Sequence, residues 1–177
     1  IARRLYTDMI ERLAFGHGKM AFLAGPRQVG KTTIARQILA GDEAGLYFSW
    51  DDPAFRRAWV KDPASLVPKR VGKKPVLTLD ELHRAPRWKS RLKGLWDLRG
   101  GDADVLVTGS ARLDLFRRGG DSLVGRYFLF RAHPLSLGEV AGVPSAPSDL
   151  AGALARRLAG RAGNQATLLH HAAYPAP

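Results

Sequence analysis

The segment Gly25-Pro-Arg-Gln-Val-Gly-Lys-Thr32 fills every position of the P-loop (Walker A) pattern G-x-x-x-x-G-K-S/T. Its flanks are those the pattern requires. The apolar run Met20-Ala-Phe-Leu-Ala24 reads as a buried strand, and Thr33 to Leu39 carries Ile34, Ile38 and Leu39 at helical spacing. Strand, glycine turn and helix in that order turn a pattern match into an expected phosphate site, with a chance glycine-rich turn as the lesser alternative. Gly25 and Gly30 allow the backbone to wrap a polyphosphate, so that successive N–H groups and the helix N-terminus point at the anion. Lys31 can reach the β- and γ-phosphates, and Thr32 offers a hydroxyl to Mg²⁺. Pro26, Arg27, Gln28 and Val29 complete the loop, and Thr33 continues it into the helix.

A second element follows at Pro75-Val-Leu-Thr-Leu-Asp80-Glu81, an apolar strand ending in two acids, which is the Walker B pattern. Asp80 is the candidate Mg²⁺ carboxylate, since a hard cation seeks oxygen ligands. Glu81 is the candidate for polarising an attacking water, an acid that enzymes transferring phosphate to other acceptors do not need. Thr108-Gly-Ser110 ends a further strand, and Thr108 or Ser110 is placed to sense the γ-phosphate or orient the water. Thr-Gly-Ser is also ordinary turn chemistry. Transition-state charge calls for an arginine, supplied by the same chain or by a neighbour. Arg112 and Arg126 are the candidates, with Arg126 preferred because Gly125 beside it permits close approach.

The 177 residues suffice for one well-buried α/β domain, and a hydrophobic content of 45% provides its core. Strands are expected at Met20–Ala24, Leu46–Trp50, Pro75–Asp80, Ala103–Ser110 and Tyr127–Phe130, alternating with helical segments. An opening helix sets Leu5, Met9 and Leu13 on one face. Pro53 starts a helix that buries Phe55 and Trp59, and Arg84–Arg99 forms another with Trp88, Leu92, Leu95 and Trp96 inward. The alternation predicts a three-layer α/β fold, a mainly parallel five-stranded sheet with helices on both faces. Ligands in such sheets sit at the carboxyl ends of the strands, where the P-loop, Asp80-Glu81 and Thr108–Ser110 all fall. The ATPase core is expected over residues 1–139, with a linker and a partial helical extension over 140–177.

Without cysteine the chain can form no disulfide, thiolate zinc site or cysteine nucleophile, and His170-His171 do not make a metal set. No apolar stretch approaches the roughly 18–20 residues that span a bilayer. With no export signal visible, the expected location is the cytoplasm. The net charge of +12 permits non-specific attraction to nucleic acid, although dispersed charge reads equally as solvated surface. Lys89, Arg91 and Lys93 are expected to form an outward stripe. It could meet nucleic-acid phosphates, or the acidic surface of a protein partner, which is the preferred reading.

These motifs together resemble a prokaryotic family of AAA-type ATPases. The resemblance rests on Gly25–Thr32, the strand end Asp51-Asp-Pro53, Leu79-Asp-Glu-Leu-His83 with Trp88, Thr108–Ser110, Ser122-Leu-Val-Gly-Arg126 and Pro134 to Glu139. It covers about residues 1–140. It implies ATP and Mg²⁺ as ligands. It also implies that the chain is the ATPase part of a longer protein with a C-terminal nuclease-like domain, so that self-association or contact with that domain is expected. The leading expectation is an ATP hydrolase. A nucleotide-loaded switch with negligible turnover and a small-kinase-type phosphotransferase are the alternatives, the latter drawing on Arg112 to Arg118 as a lid.

Overall fold

The five-residue run Met20–Ala24 forms β1, and it is buried along its whole length. Burial on both faces is the usual condition of a central parallel strand, and explains why its sequence does not alternate. The computed structural model describes residues 4–68, 72–110 and 123–135. All of them belong to the first of two compact units, Ile1–Val143 and Pro144–Pro177. The extension expected over 140–177 lies outside the described residues.

In chain order the elements are α1 (Arg4–Met9), β1, α2 (Lys31–Leu39), β2 (Leu46–Ser49), α3 (Pro53–Lys61), β3 (Val76–Asp80), α4 (Trp88–Arg99), β4 (Asp104–Gly109) and β5 (Tyr127–Arg131). The five strands make one sheet in the order β2-β3-β4-β1-β5, and every pairing is parallel. The register places Leu23 beside Thr108 and Phe130, and Ser49 beside Asp80. All the strands therefore end on the same side, the side of the P-loop.

Alternation along the strands divides the core into two layers. Ala21, Leu23, Val76 and Leu106 face Ile34, Ala35 and Ile38 of α2 together with Tyr6, Ile10 and Ala14. Met20, Phe22, Leu77, Leu79, Val105 and Val107 face Phe55 and Trp59 of α3 and Trp88, Leu92 and Leu95 of α4. Helix α3 starts as its sequence predicts. Pro53 occupies its first turn, and the Asp52 carboxylate accepts from Ala54 N at 2.8 Å. Stacking of Phe55 on Phe48, with centroids 5.3 Å apart, then fixes the helix to the sheet edge.

The opening helix differs from expectation. It passes from α1 into a π turn at Ile10–Ala14 and a short 3₁₀ turn at Phe15–His17. The buried face is Tyr6, Ile10 and Ala14, whereas Met9 and Leu13 are half-buried beside it. The i→i+5 bonds widen the coil, so residues four apart stay on one face instead of drifting around it. The Tyr6 hydroxyl donates to Arg131 O at 3.0 Å and accepts from His133 N at 3.0 Å, tying α1 to the end of β5.

The expected cationic stripe on α4 is not formed. Lys89 lies over the Trp88 ring at 5.9 Å, and Lys93 pairs with Asp97. Arg91 turns the other way and donates to the Trp59 and Val60 carbonyls at 3.0 and 2.8 Å, closing the C-terminal end of α3. Residues two apart on a helix do not share a face, so Arg91 cannot align with Lys89 and Lys93, which lie four apart. Among the described residues no helix is long and apolar enough to cross a membrane.

Candidate functional site

Gly25 leaves β1 where β5 ends, and there is no room at that point for a side chain. A Cβ on residue 25 would stand 2.5 Å from the Ala132 carbonyl oxygen and 3.2 Å from the Val29 side chain. Ala132 N in turn donates to Ala24 O at 2.7 Å, so the crowding backbone is itself pinned. Gly25→Ala is therefore expected to lower unfolding free energy by about 1–3 kcal/mol through overpacking. Denaturant unfolding checks this, and an unchanged midpoint would show that the loop yields freely.

The chain then turns through Gln28 and Gly30, both left-handed at φ 65° and 88°, and enters α2 at Lys31. Gly30 adopts this conformation at little cost; Gln28 carries strain of about 1–2 kcal/mol. Lys31 is only 7% exposed. Its ammonium folds back on the loop, donating to Gly25 O at 3.0 Å and Pro26 O at 2.6 Å. Burial holds its pKa below the usual lysine range, against the opposing pull of the Glu81 and Asp80 carboxylates.

The Asp80 carboxylate is the polar centre of the strand ends. Thr108 donates to Oδ1; Thr32 donates to Oδ2 at 3.3 Å; Tyr47 donates to Oδ2 at 2.5 Å. These donors come from β4, α2 and β2, so one carboxylate gathers three elements. Desolvation, followed by the bond to Asp80, raises the Tyr47 pKa far above the ordinary phenol range. Glu81 follows in a left-handed conformation at φ 56°, its N–H directed at Thr108 Oγ1 over 3.4 Å. Thr32, Asp80, Glu81 and Thr108 are thus brought together with the loop.

Ser110 is drawn aside to His83, with Oγ and Nε2 3.2 Å apart, and Glu81 Oε2 lies 3.7 Å from the same Nε2. A serine nucleophile would need its base and the orienting acid on opposite ring nitrogens, so this is not a hydrolytic triad. Arg126 is not brought to the site. It precedes β5 at the end opposite the P-loop, where its carbonyl accepts from Met20 N and its Nε donates to Asp97 at 3.1 Å. Arg112 lies outside the described residues. Sequence reasoning gave no site role to Tyr47 or His83. His83 stood in the motif after Asp80 without a function assigned to it, and nothing in the sequence gave Tyr47 its strand neighbour.

Two cavities flank the loop. One of about 580 Å³ is lined by Arg27, Gln28, Gly30, Lys31, Thr32 and Thr33, and by Glu81 from the far side. The other, of about 410 Å³, shares Arg27, Gln28, Gly30 and Thr33 and adds Val29, Pro134 and Leu135. The first is a polyphosphate-sized cleft with an acid facing it; the second has an apolar wall.

Comparison with known proteins agrees with this fold. Uncharacterized proteins of Mycobacterium tuberculosis and Mycobacterium bovis are each 34% identical to the chain over 132 residues, which is 73% of this chain and 28% of theirs. The chain thus spans under a third of those relatives' length. A family described as AAA domain matches residues 17–141, from the end of the opening helical segment to beyond β5. The chain belongs to that family, the AAA-type P-loop ATPases.

Proposed function

We propose that this chain binds Mg·ATP at residues 25–33 and hydrolyses it, using the cycle to drive or gate a conformational change. The observation that carries the reading is the cleft in which Glu81 faces Lys31, Thr32 and Thr33. In this reading the loop N–H groups and Lys31 hold the phosphates, and Glu81 orients and deprotonates the attacking water. Thr108 fixes the acidic pair from below. Pro134 and Leu135 give the nucleoside an apolar wall.

The residues fit a magnesium ion. A hydroxyl and a carboxylate, both hard oxygen donors, lie 3.3 Å apart beside the loop, on Thr32 and Asp80. Bound there, the ion would neutralise charge on the β- and γ-phosphates.

One observation favours a slower protein. Arg126 is tied to Asp97 at the opposite end of the sheet, so it does not serve the cleft of its own chain. P-loop sites lacking an arginine finger turn over very slowly. Phosphate release from Mg·ATP, followed as protein concentration rises, separates the two readings. Specific activity that climbs with concentration supports hydrolysis completed by a second copy. Flat, near-zero release with intact ATP binding supports a nucleotide-loaded switch. Failure to bind ATP at millimolar concentration rejects both.

A further inference from the structure

We propose that Tyr47 is a positioning residue for the magnesium site, holding Asp80 Oδ2 while Thr32 turns its hydroxyl oxygen to the metal. The proposal rests on the reading that Thr32 and Asp80 serve Mg²⁺.

The placement follows from strand register. Ser49 sits directly beside Asp80, and Tyr47 lies two residues earlier on the same face of β2, beside Thr78. Two residues of strand rise about 6.6 Å, a span that a phenol can cross and a serine or threonine hydroxyl cannot. The Tyr47 hydroxyl crosses it to reach Asp80 Oδ2 at 2.5 Å. Its ring is held from above by the Arg36 guanidinium of α2, 5.9 Å from the centroid. Tyr47 is thus fixed at both ends.

The need for a third donor follows from counting. An ionised carboxylate offers about four lone-pair sites. In this structure Thr108 takes one on Oδ1, and Thr32 and Tyr47 take those on Oδ2. Of the three donors, Thr32 is the one assigned to the metal, so its bond to Asp80 must readjust when the ion arrives. Thr108 continues to fix Oδ1, and Tyr47 alone then keeps Oδ2 from rotating. Asp80 is 6% exposed, so no bulk water stands ready to replace a lost donor. Groups that orient a metal-binding carboxylate typically govern metal affinity by about 10- to 100-fold.

The test uses Mn²⁺ as the probe, titrated into the ADP-loaded chain and followed by the electron paramagnetic resonance signal of the free ion. Tyr47→Phe keeps the ring beneath Arg36 and removes only the hydroxyl. We expect Mn²⁺ affinity to fall by about tenfold. ADP affinity in the presence of a chelator should stay within about twofold and the thermal midpoint should change little, because a purely structural defect would move both. Mn²⁺ affinity that is unchanged or tighter in Tyr47→Phe overturns the proposal. Asp80→Asn is measured in parallel. If it loses Mn²⁺ affinity while Tyr47→Phe does not, the positioning role alone fails. If neither variant changes Mn²⁺ affinity, the assignment of the metal to Asp80 fails first.

Discussion

Glu81→Gln is expected to bind ATP as the parent does and to hydrolyse it about 100-fold more slowly. The substitution preserves shape and the left-handed turn at φ 56°, since neither side chain is branched at Cβ. It removes the negative charge and with it the capacity to accept a proton, a contribution of about 10²–10⁴ in positioned general-base catalysis. Asp80 and its three hydroxyl donors are untouched, so the metal and phosphate contacts survive. Single-turnover phosphate release with saturating ATP measures the effect directly. Turnover equal to the parent's would remove Glu81 from the reaction and leave the cleft as a binding site.

Lys31→Ala acts on the other term. The ammonium is 7% exposed and already bonded to two loop carbonyls, so it is fixed where an incoming phosphate would meet it. Hydrogen bonds to charged groups are worth about 1.5–3 kcal/mol, which corresponds to a loss of roughly 10- to 150-fold in ATP affinity. Fold stability should move little or rise, because burial already disfavours the charged lysine, as its lowered pKa shows. Calorimetric titration of ATP together with a melting curve tests both halves. A large fall in the melting temperature with affinity retained would show that Lys31 serves the loop and not the ligand.

Much of this was legible in the sequence because local chemistry decided it. The glycines of the P-loop, the Asp52-Pro53 helix start and the inward Phe55 and Trp59 are set by neighbours a few residues away. The sheet could be read as mainly parallel from the alternation of strands with helices, and β1, β3 and β4 as buried from their continuous apolar runs. What escaped depended on register or on helical phase. Arg126 was preferred for the glycine beside it. Which end of the sheet it occupies is settled only by the pairing of Met20 with Tyr127. Tyr47 resembles any strand aromatic until β2 is laid against β3. The α4 cations looked like a stripe because sequence proximity was taken for a common face; the turn of the helix parts Arg91 from Lys89 and Lys93, which are drawn to Trp88 and Asp97. The opening helix buries Tyr6, Ile10 and Ala14, an i, i+4 set one residue out of phase with the expected Leu5, Met9 and Leu13, and spacing alone does not choose between two such phases.

The strand order also says when the site comes into being. β1 carries the loop, yet its neighbours on the two sides are β4 and β5, and the strand nearest to it in sequence, β2, lies at the far edge. A chain emerging from the ribosome therefore displays the whole P-loop motif long before Leu23 can meet Thr108 or Phe130. Closing such long loops comes late and slowly in folding. Until then Met20–Ala24 is an unpaired apolar strand, the kind of segment that aggregates if the wait is long. The pairings that flank the loop require residues 104–131, so nucleotide capture by a nascent chain would mark the moment at which the central strands have joined.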